Sequence, residues 1–295
     1  MAMGQMNMDQ VNMGQMNMDQ VNVGQPLAVG WQLDPVLLGS LLALALSYAL
    51  AVGPLRARLA PGESFPRFKA LAFAAGIVLT YLTEGSPLHD LAERYLFSAH
   101  MVQHLLISYL CVPLLLWATP AWIWRKLLLS RAVRPVARVL LNPLVAGGIF
   151  SLALSLWHLP VLYEAGLRNT SVHHAQHLVF MALALISWWP VMSPLPELPR
   201  LDYGLQILYL FMVSTVLQLP LFALVTFASA PFYGPYIEAP RIVFASALAD
   251  QQAAGVVMKV LAMMIFSVPI VVIFFRWFQE SEPARGRPTQ HVLPR

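Results

Sequence analysis

Long unbroken apolar blocks, separated by short polar stretches, organise this chain. The blocks fall at about 35–54, 68–84, 93–119, 143–162, 172–192, 203–228 and 249–277. Most reach the roughly 20 residues that a helix needs to cross a bilayer, and 68–84 is the shortest. Within each block the apolar positions are continuous rather than alternating, which predicts helices rather than barrel strands. Only a helix or a closed barrel satisfies its own backbone in lipid. The pattern therefore predicts an all-α integral membrane protein, a bundle of seven transmembrane helices. Pro113, Pro190, Pro220 and Pro269 lie in or near the blocks, where membrane helices tolerate kinks.

The polar stretches give the bundle a direction. Arg56, Arg58, Arg67 and Lys69 follow the first block, and Arg125, Lys126, Arg131, Arg134 and Arg138 follow the third. Arg276, Arg285, Arg287 and Arg295 follow the seventh. In a seven-span chain these groups share one side. The other side carries the amino-terminal tail and Glu84, Asp90, Glu93, Arg94, Glu164, Arg168, Glu238 and Arg241. Lys and Arg gather on the cytoplasmic side, so the amino terminus is predicted outside and the carboxyl terminus in the cytoplasm. Segment 121–140 is too charged to span. Its bases alternate with Trp122, Trp124 and Val136, which predicts an interfacial helix on the anionic leaflet.

Composition sharpens the class. Of 295 residues, 58% are hydrophobic and 11% charged, against about 25% charged in a soluble domain. The net charge of +4 resides in the loops, so it orients the chain in its lipid bilayer and does not indicate nucleic acid. One cysteine, Cys111, excludes a disulfide framework and a Cys-rich metal site. It reads as a small buried hydrophobe, with a deeper ligand as the alternative. Residues 1–34 hold no Lys or Arg and no apolar core segment, so no signal peptide is predicted there. The expected organisation is a Met-rich outer tail at 1–34, a seven-helix membrane domain at 35–278 and a cytoplasmic tail at 279–295.

Polar chemistry concentrates at one predicted depth. His100 and His104 lie one to two turns into the third helix, four residues apart and about 6 Å along one face. His158 ends the fourth helix, while His173, His174 and His177 begin the fifth. Asp250, Ala254 and Met258 make a stripe at the start of the seventh, beside the small Gly255. Ionisable groups are expensive in lipid, so their shared level predicts a built site. Imidazole suits copper, zinc, iron and nickel alike. Asp250 either ligates or orients a ligating imidazole, and Met258 adds a soft thioether. His173 and His174 face about 100° apart, and the sequence leaves open which is the ligand. His89 and His291 are expected to be solvated.

The amino terminus adds a second candidate. Residues 3–12 read MGQMNMDQVN and residues 13–22 repeat them. Met3, Met6, Met8, Met13, Met16 and Met18 are set among Gly, Gln, Asn and Asp, a composition that buries no core. Thioethers prefer soft Cu(I) to hard cations. The tail lies on the predicted side of the histidines.

FSAHMVQHLL at 97–106, LWHLPVLYEAGL at 156–167, HHAQHL at 173–178, WWP at 188–190 and DQQAAGVVMKV at 250–260 resemble the multi-span CtaG family of cytochrome c oxidase assembly factors. The resemblance runs over roughly 35–278. It implies a multi-pass protein of the bacterial inner membrane that helps mature a copper-containing terminal oxidase. It also implies a metal-related role for His100, His104, His158, His173, His177, Asp250 and Met258. The leading expectation is a non-enzymatic factor that takes Cu(I) at the outer face and passes it to an oxidase subunit. The competing expectation is an integral-membrane zinc hydrolase with an open ligand position, although no HExxH is present. A haem carrier with axial His104 and His177, and copper permeation, are weaker alternatives.

Overall fold

The computed structural model describes residues 27–281, and every regular element among them is helical. In chain order these are α1 (Pro35–Val52), a single turn at Arg56–Leu59, α2 (Arg67–Glu84), α3 (Pro87–Arg94), α4 (Phe97–Ala118), α5 (Ala121–Leu128) and α6 (Arg134–Leu140). There follow α7 (Pro143–Trp157), α8 (Pro160–Arg168), α9 (Thr170–Met192), α10 (Tyr203–Thr226), α11 (Gly234–Glu238) and α12 (Ala247–Ser281). Five of them, α1, α4, α9, α10 and α12, are long and apolar enough to cross a membrane. The pair α2 and α3, bent by 42°, and the pair α6 and α7, bent by 70°, raise the number to seven if each pair is one span.

Local chemistry sets the helix starts. Asp34 accepts from the Val36 and Leu37 N–H groups at the head of α1. Asn142 does the same for α7 and Asn169 for α9. Each occupies the position where a short polar side chain meets unpaired amides. Pro160 has no N–H to donate and disfavours helical geometry at Leu159, which is extended. The predicted run 143–162 therefore ends at Trp157, and α8 begins anew. The predicted interfacial helix 121–140 is also two helices, α5 and α6, with a break between them.

Two π-helical turns interrupt long helices: Ile107–Cys111 in α4, before Pro113, and Met212–Val216 in α10, before Pro220. Proline withholds an amide from the preceding turn, and wide turns leave carbonyls for other partners. Trp188 donates to the Ser108 carbonyl at 2.9 Å. The Lys259 ammonium donates to the Thr215 carbonyl at 3.0 Å. A lysine on an apolar helix thereby gains a partner.

Contacts between helix ends fix which ends lie together. Tyr48 donates to the Ala118 carbonyl and Lys69 to the Trp117 carbonyl. Arg125 pairs with Glu197, and Tyr203 with Glu280. At the opposite end, the Gln32 amide bonds the Gly85 carbonyl, Tyr233 the His158 carbonyl and Tyr236 the Ala92 carbonyl. The polar cluster lies at this second end. α4 runs down the middle, packed on α12, α9, α2 and α3. Leu42, Leu46 and Leu50 of α1 face outward, as a lipid-facing helix requires.

Candidate metal centre

α2, α3, α4 and α9 build the cluster. α2 ends on Glu84. Ser86 then caps α3, whose His89 and Glu93 stand four residues apart on one face. His100 and His104 share a face in the first turns of α4. The Asn169 cap starts α9 so that His173 and His177 lie in its opening turns.

Five imidazoles form a continuous run. Ring centroids are 5.3 Å apart for His89 and His173, 4.3 Å for His173 and His177, 5.2 Å for His177 and His104, and 4.4 Å for His104 and His100. Glu93 closes the run into a loop: its Oε1 is 2.9 Å from His100 Nδ1 and its Oε2 is 3.3 Å from His173 Nδ1. Glu84 Oε2 lies 2.7 Å from His177 Nδ1. His100 Nε2 and His104 Nε2 are 2.6 Å apart, a hydrogen bond when one of them carries the proton. His100 is 1% exposed and Glu84 8%, so the groups are out of water.

Short as these approaches are, the ring N–H directions miss the carboxylate oxygens. Six buried atoms have no aligned hydrogen-bond partner: Glu84 Oε1, Glu93 Oε1, Nδ1 of His100, His173 and His177, and Nε2 of His177. A buried polar atom without a partner costs about 1–3 kcal/mol. Three of the nitrogens and Glu93 Oε1 take part in the close imidazole–carboxylate approaches, so the unmet demand falls on Glu84 Oε1 and His177 Nε2. Ring nitrogens and carboxylate oxygens are also the donors that bind zinc or copper. The donor set therefore fits a metal ion. Among the described residues, His89, Glu93 and His173 are the group whose ligand atoms all lie within 4.8 Å of one another.

The other predicted ligands have different neighbours. His158 is buried, with Nδ1 2.7 Å from the Leu154 carbonyl and Nε2 3.5 Å from Met101 Sδ. The Tyr163 ring neighbours both His158 and His100, at 5.9 and 5.1 Å. Asp250 accepts from the Phe97 amide at 2.7 Å and from the Ser98 amide and hydroxyl at 3.2 and 2.5 Å. It caps α4, whose own N-cap residue, Leu96, has no side-chain acceptor. That anchors α4, and so His100 and His104, to α12. Met258 is buried in the apolar core among residues such as Ala254 and Phe266. His174 turns the other way, 3.4 Å from Asp34, leaving His173 in the cluster. Cys111 is buried, 3.9 Å from the Thr83 hydroxyl. Met3, Met6, Met8, Met13, Met16 and Met18 lie outside the described residues, as does His291.

Sequence reasoning missed Glu84 and Glu93, and it placed His89 in solvent. His89 is instead half-buried, edge-on to His173, and 3.1 Å from the Gln103 amide nitrogen. The available signal was the four-residue spacing of His89 and Glu93 on a short segment opened by Ser86-Pro87. The chain entering α1 lies along the same end. Gly30 donates to Asp90 at 2.9 Å, and Trp31 stacks on Tyr81.

Chemically, such a cluster can hold a cation reversibly: imidazole and carboxylate donors are exchangeable, and the bundle wall limits water. A family model described as cytochrome c oxidase caa3 assembly factor (Caa3_CtaG) matches residues 46–280. Neither a curated protein nor a solved structure matches the chain. The matched stretch contains the whole imidazole and carboxylate run, all of α2 to α11 and α12 up to Glu280, so the chain belongs to the cytochrome c oxidase caa3 assembly factor family.

Proposed function

We propose that this assembly factor binds copper at the histidine cluster and supplies it to a subunit of the terminal oxidase. The observation that carries the reading is the convergence of buried imidazoles from α4 and α9 on the carboxylates of Glu84 and Glu93, whose oxygens lie 2.7, 2.9 and 3.3 Å from ring nitrogens. His100, His104 and His177 supply the ligands, and the His173 ring stands 4.3 Å from that of His177. Asp250 fixes α4 through its amino end, and His158 and Met258 line the helices around the site. The work is binding and transfer rather than catalysis.

The topology that goes with it has seven spans, α2 with α3 and α6 with α7 each counting once. The amino terminus and the cluster are outside, and the basic loops at the Arg125 end face the cytoplasm. Residues 1–34 form the outer tail, 35–278 the membrane domain and 279–295 the inner tail. Met18 precedes Gly30, which lies beside the cluster, by twelve residues. An extended chain of that length reaches at most about 40 Å. Tail methionines collecting Cu(I) are thus within range of the imidazoles, in a bacterial inner membrane whose outer side also presents the recipient.

Elemental analysis of the full-length protein, purified under reducing conditions, tests this. Stoichiometric copper is expected, with loss of at least half in a His104→Ala, His177→Ala double variant. Absence of copper, or no loss in the variant, contradicts the reading.

A further inference from the structure

The copper reading takes its ligands from imidazoles of α4 and α9 and gives no ligand role to His89 and Glu93 of α3. Donors around one ion at about 2.0–2.3 Å lie no more than about 4.6 Å apart. The imidazole run is too long for that. The ligand atoms of His89, Glu93 and His173 all lie within 4.8 Å of one another, a few tenths of an ångström from that limit. His173 connects to the rest through His177, whose ring is 4.3 Å away.

We propose that His89, Glu93 and His173 form an ion position of their own, for a divalent cation of the zinc or copper(II) class, beside the imidazoles of His100, His104 and His177. The inference rests on the copper reading for its neighbour, but it makes a separate claim about donors and metal class.

Charge supports the divalent ion. Glu84 and Glu93 are largely removed from water, with side chains 9% and 14% exposed. Their ionic partners within 4.0 Å are imidazoles, with no Lys or Arg among the described residues. The nearby Arg94 pairs with Asp90 instead. A buried carboxylate here calls for a cation, and a metal ion supplies that charge while leaving the imidazoles neutral to ligate it. One carboxylate oxygen with two imidazole nitrogens suits zinc or copper(II), whereas Cu(I) favours softer sets.

Gln103 serves as a positioning residue. Its amide nitrogen lies 3.1 Å from His89 Nδ1 and 3.2 Å from the Thr83 carbonyl, while its Oε1 is buried without a partner. Exchanging the two ends of the amide lets Oε1 accept the His89 Nδ1 proton, at the expense of the Thr83 contact. That leaves the Nε2 lone pair of His89 for the ion, the usual second-sphere arrangement for a ligating histidine.

Chelator-stripped full-length protein in lipid nanodiscs, titrated with zinc chloride alone and separately with Cu(I), tests the assignment. One zinc per chain is expected, with His89→Ala and Glu93→Gln each weakening zinc binding about 10–100-fold. X-ray absorption at the zinc edge of the unmodified protein, which does not depend on the variants folding, is expected to show two imidazoles and a carboxylate. Failure to bind zinc while Cu(I) still binds overturns this inference alone and leaves simple imidazolium–carboxylate pairs. Failure of both metals overturns the copper reading with it. Zinc bound with unchanged affinity in folded His89→Ala, or with four imidazoles or any sulfur ligand, also overturns the assignment.

Discussion

Asp250 and Glu93 are both acids within reach of α4, yet their surroundings give them opposite tasks. Asp250 receives two backbone amides and a hydroxyl at the head of α4. An anion at a helix amino terminus is stabilised by those donors and by the helix dipole. Asp250→Ala is expected to lower the stability of the purified protein by about 2–4 kcal/mol, because it strands buried donors. Thermal unfolding in detergent checks this, with Asp250→Asn intermediate. Glu93 instead faces two imidazoles, His100 from one carboxylate oxygen and His173 from the other. Glu93→Gln is expected to leave the melting temperature within a few degrees and to reduce bound metal. The histidines were legible in the sequence because an imidazole in an apolar run stands out. Glu84, His89 and Glu93 were not, because they lie at or between the ends of two neighbouring apolar blocks and read as an ordinary polar loop. Only the bend after Glu84 shows that α3 folds them back onto α4 and α9. Asp250 was read as a candidate ligand because a stripe on one helix does not reveal the amino end of another.

At the scale of elements, the continuity of the apolar blocks made the helices readable, since lipid allows few other backbones. The breaks were less readable: α3 separates from α4 at Tyr95-Leu96, and α7 from α8 at His158-Leu159. Helix contacts yield a sharp test. A Cβ on Gly255 of α12 would meet Thr226 of α10 at 2.1 Å from its hydroxyl and 3.1 Å from its backbone nitrogen. Gly255→Ala is therefore expected to destabilise by about 1–3 kcal/mol, since backbone has to shift. Gly148 of α7 has open space around its Cβ position, so Gly148→Ala is expected to be neutral or stabilising by up to about 1 kcal/mol. Parallel melting curves separate the two.

For the whole molecule, the arrangement gathers nearly all buried ionisable groups at one end of the bundle and secures the other end with Arg125–Glu197 and Tyr203–Glu280. An ion bound by imidazoles competes with protons. Metal content is expected to be retained near pH 7.5 and to fall on acidification, as protons compete with the ion for the imidazoles. Dialysis at falling pH with elemental analysis checks the direction. The central claim concerns what the cluster does for the oxidase. Its most direct measurement is the copper content of the terminal oxidase, isolated from cells lacking this chain and complemented with the unmodified protein or with His104→Ala, His177→Ala at equal membrane levels. Full copper with the unmodified protein and copper-deficient oxidase with the double variant are predicted; equal copper in both would contradict the account.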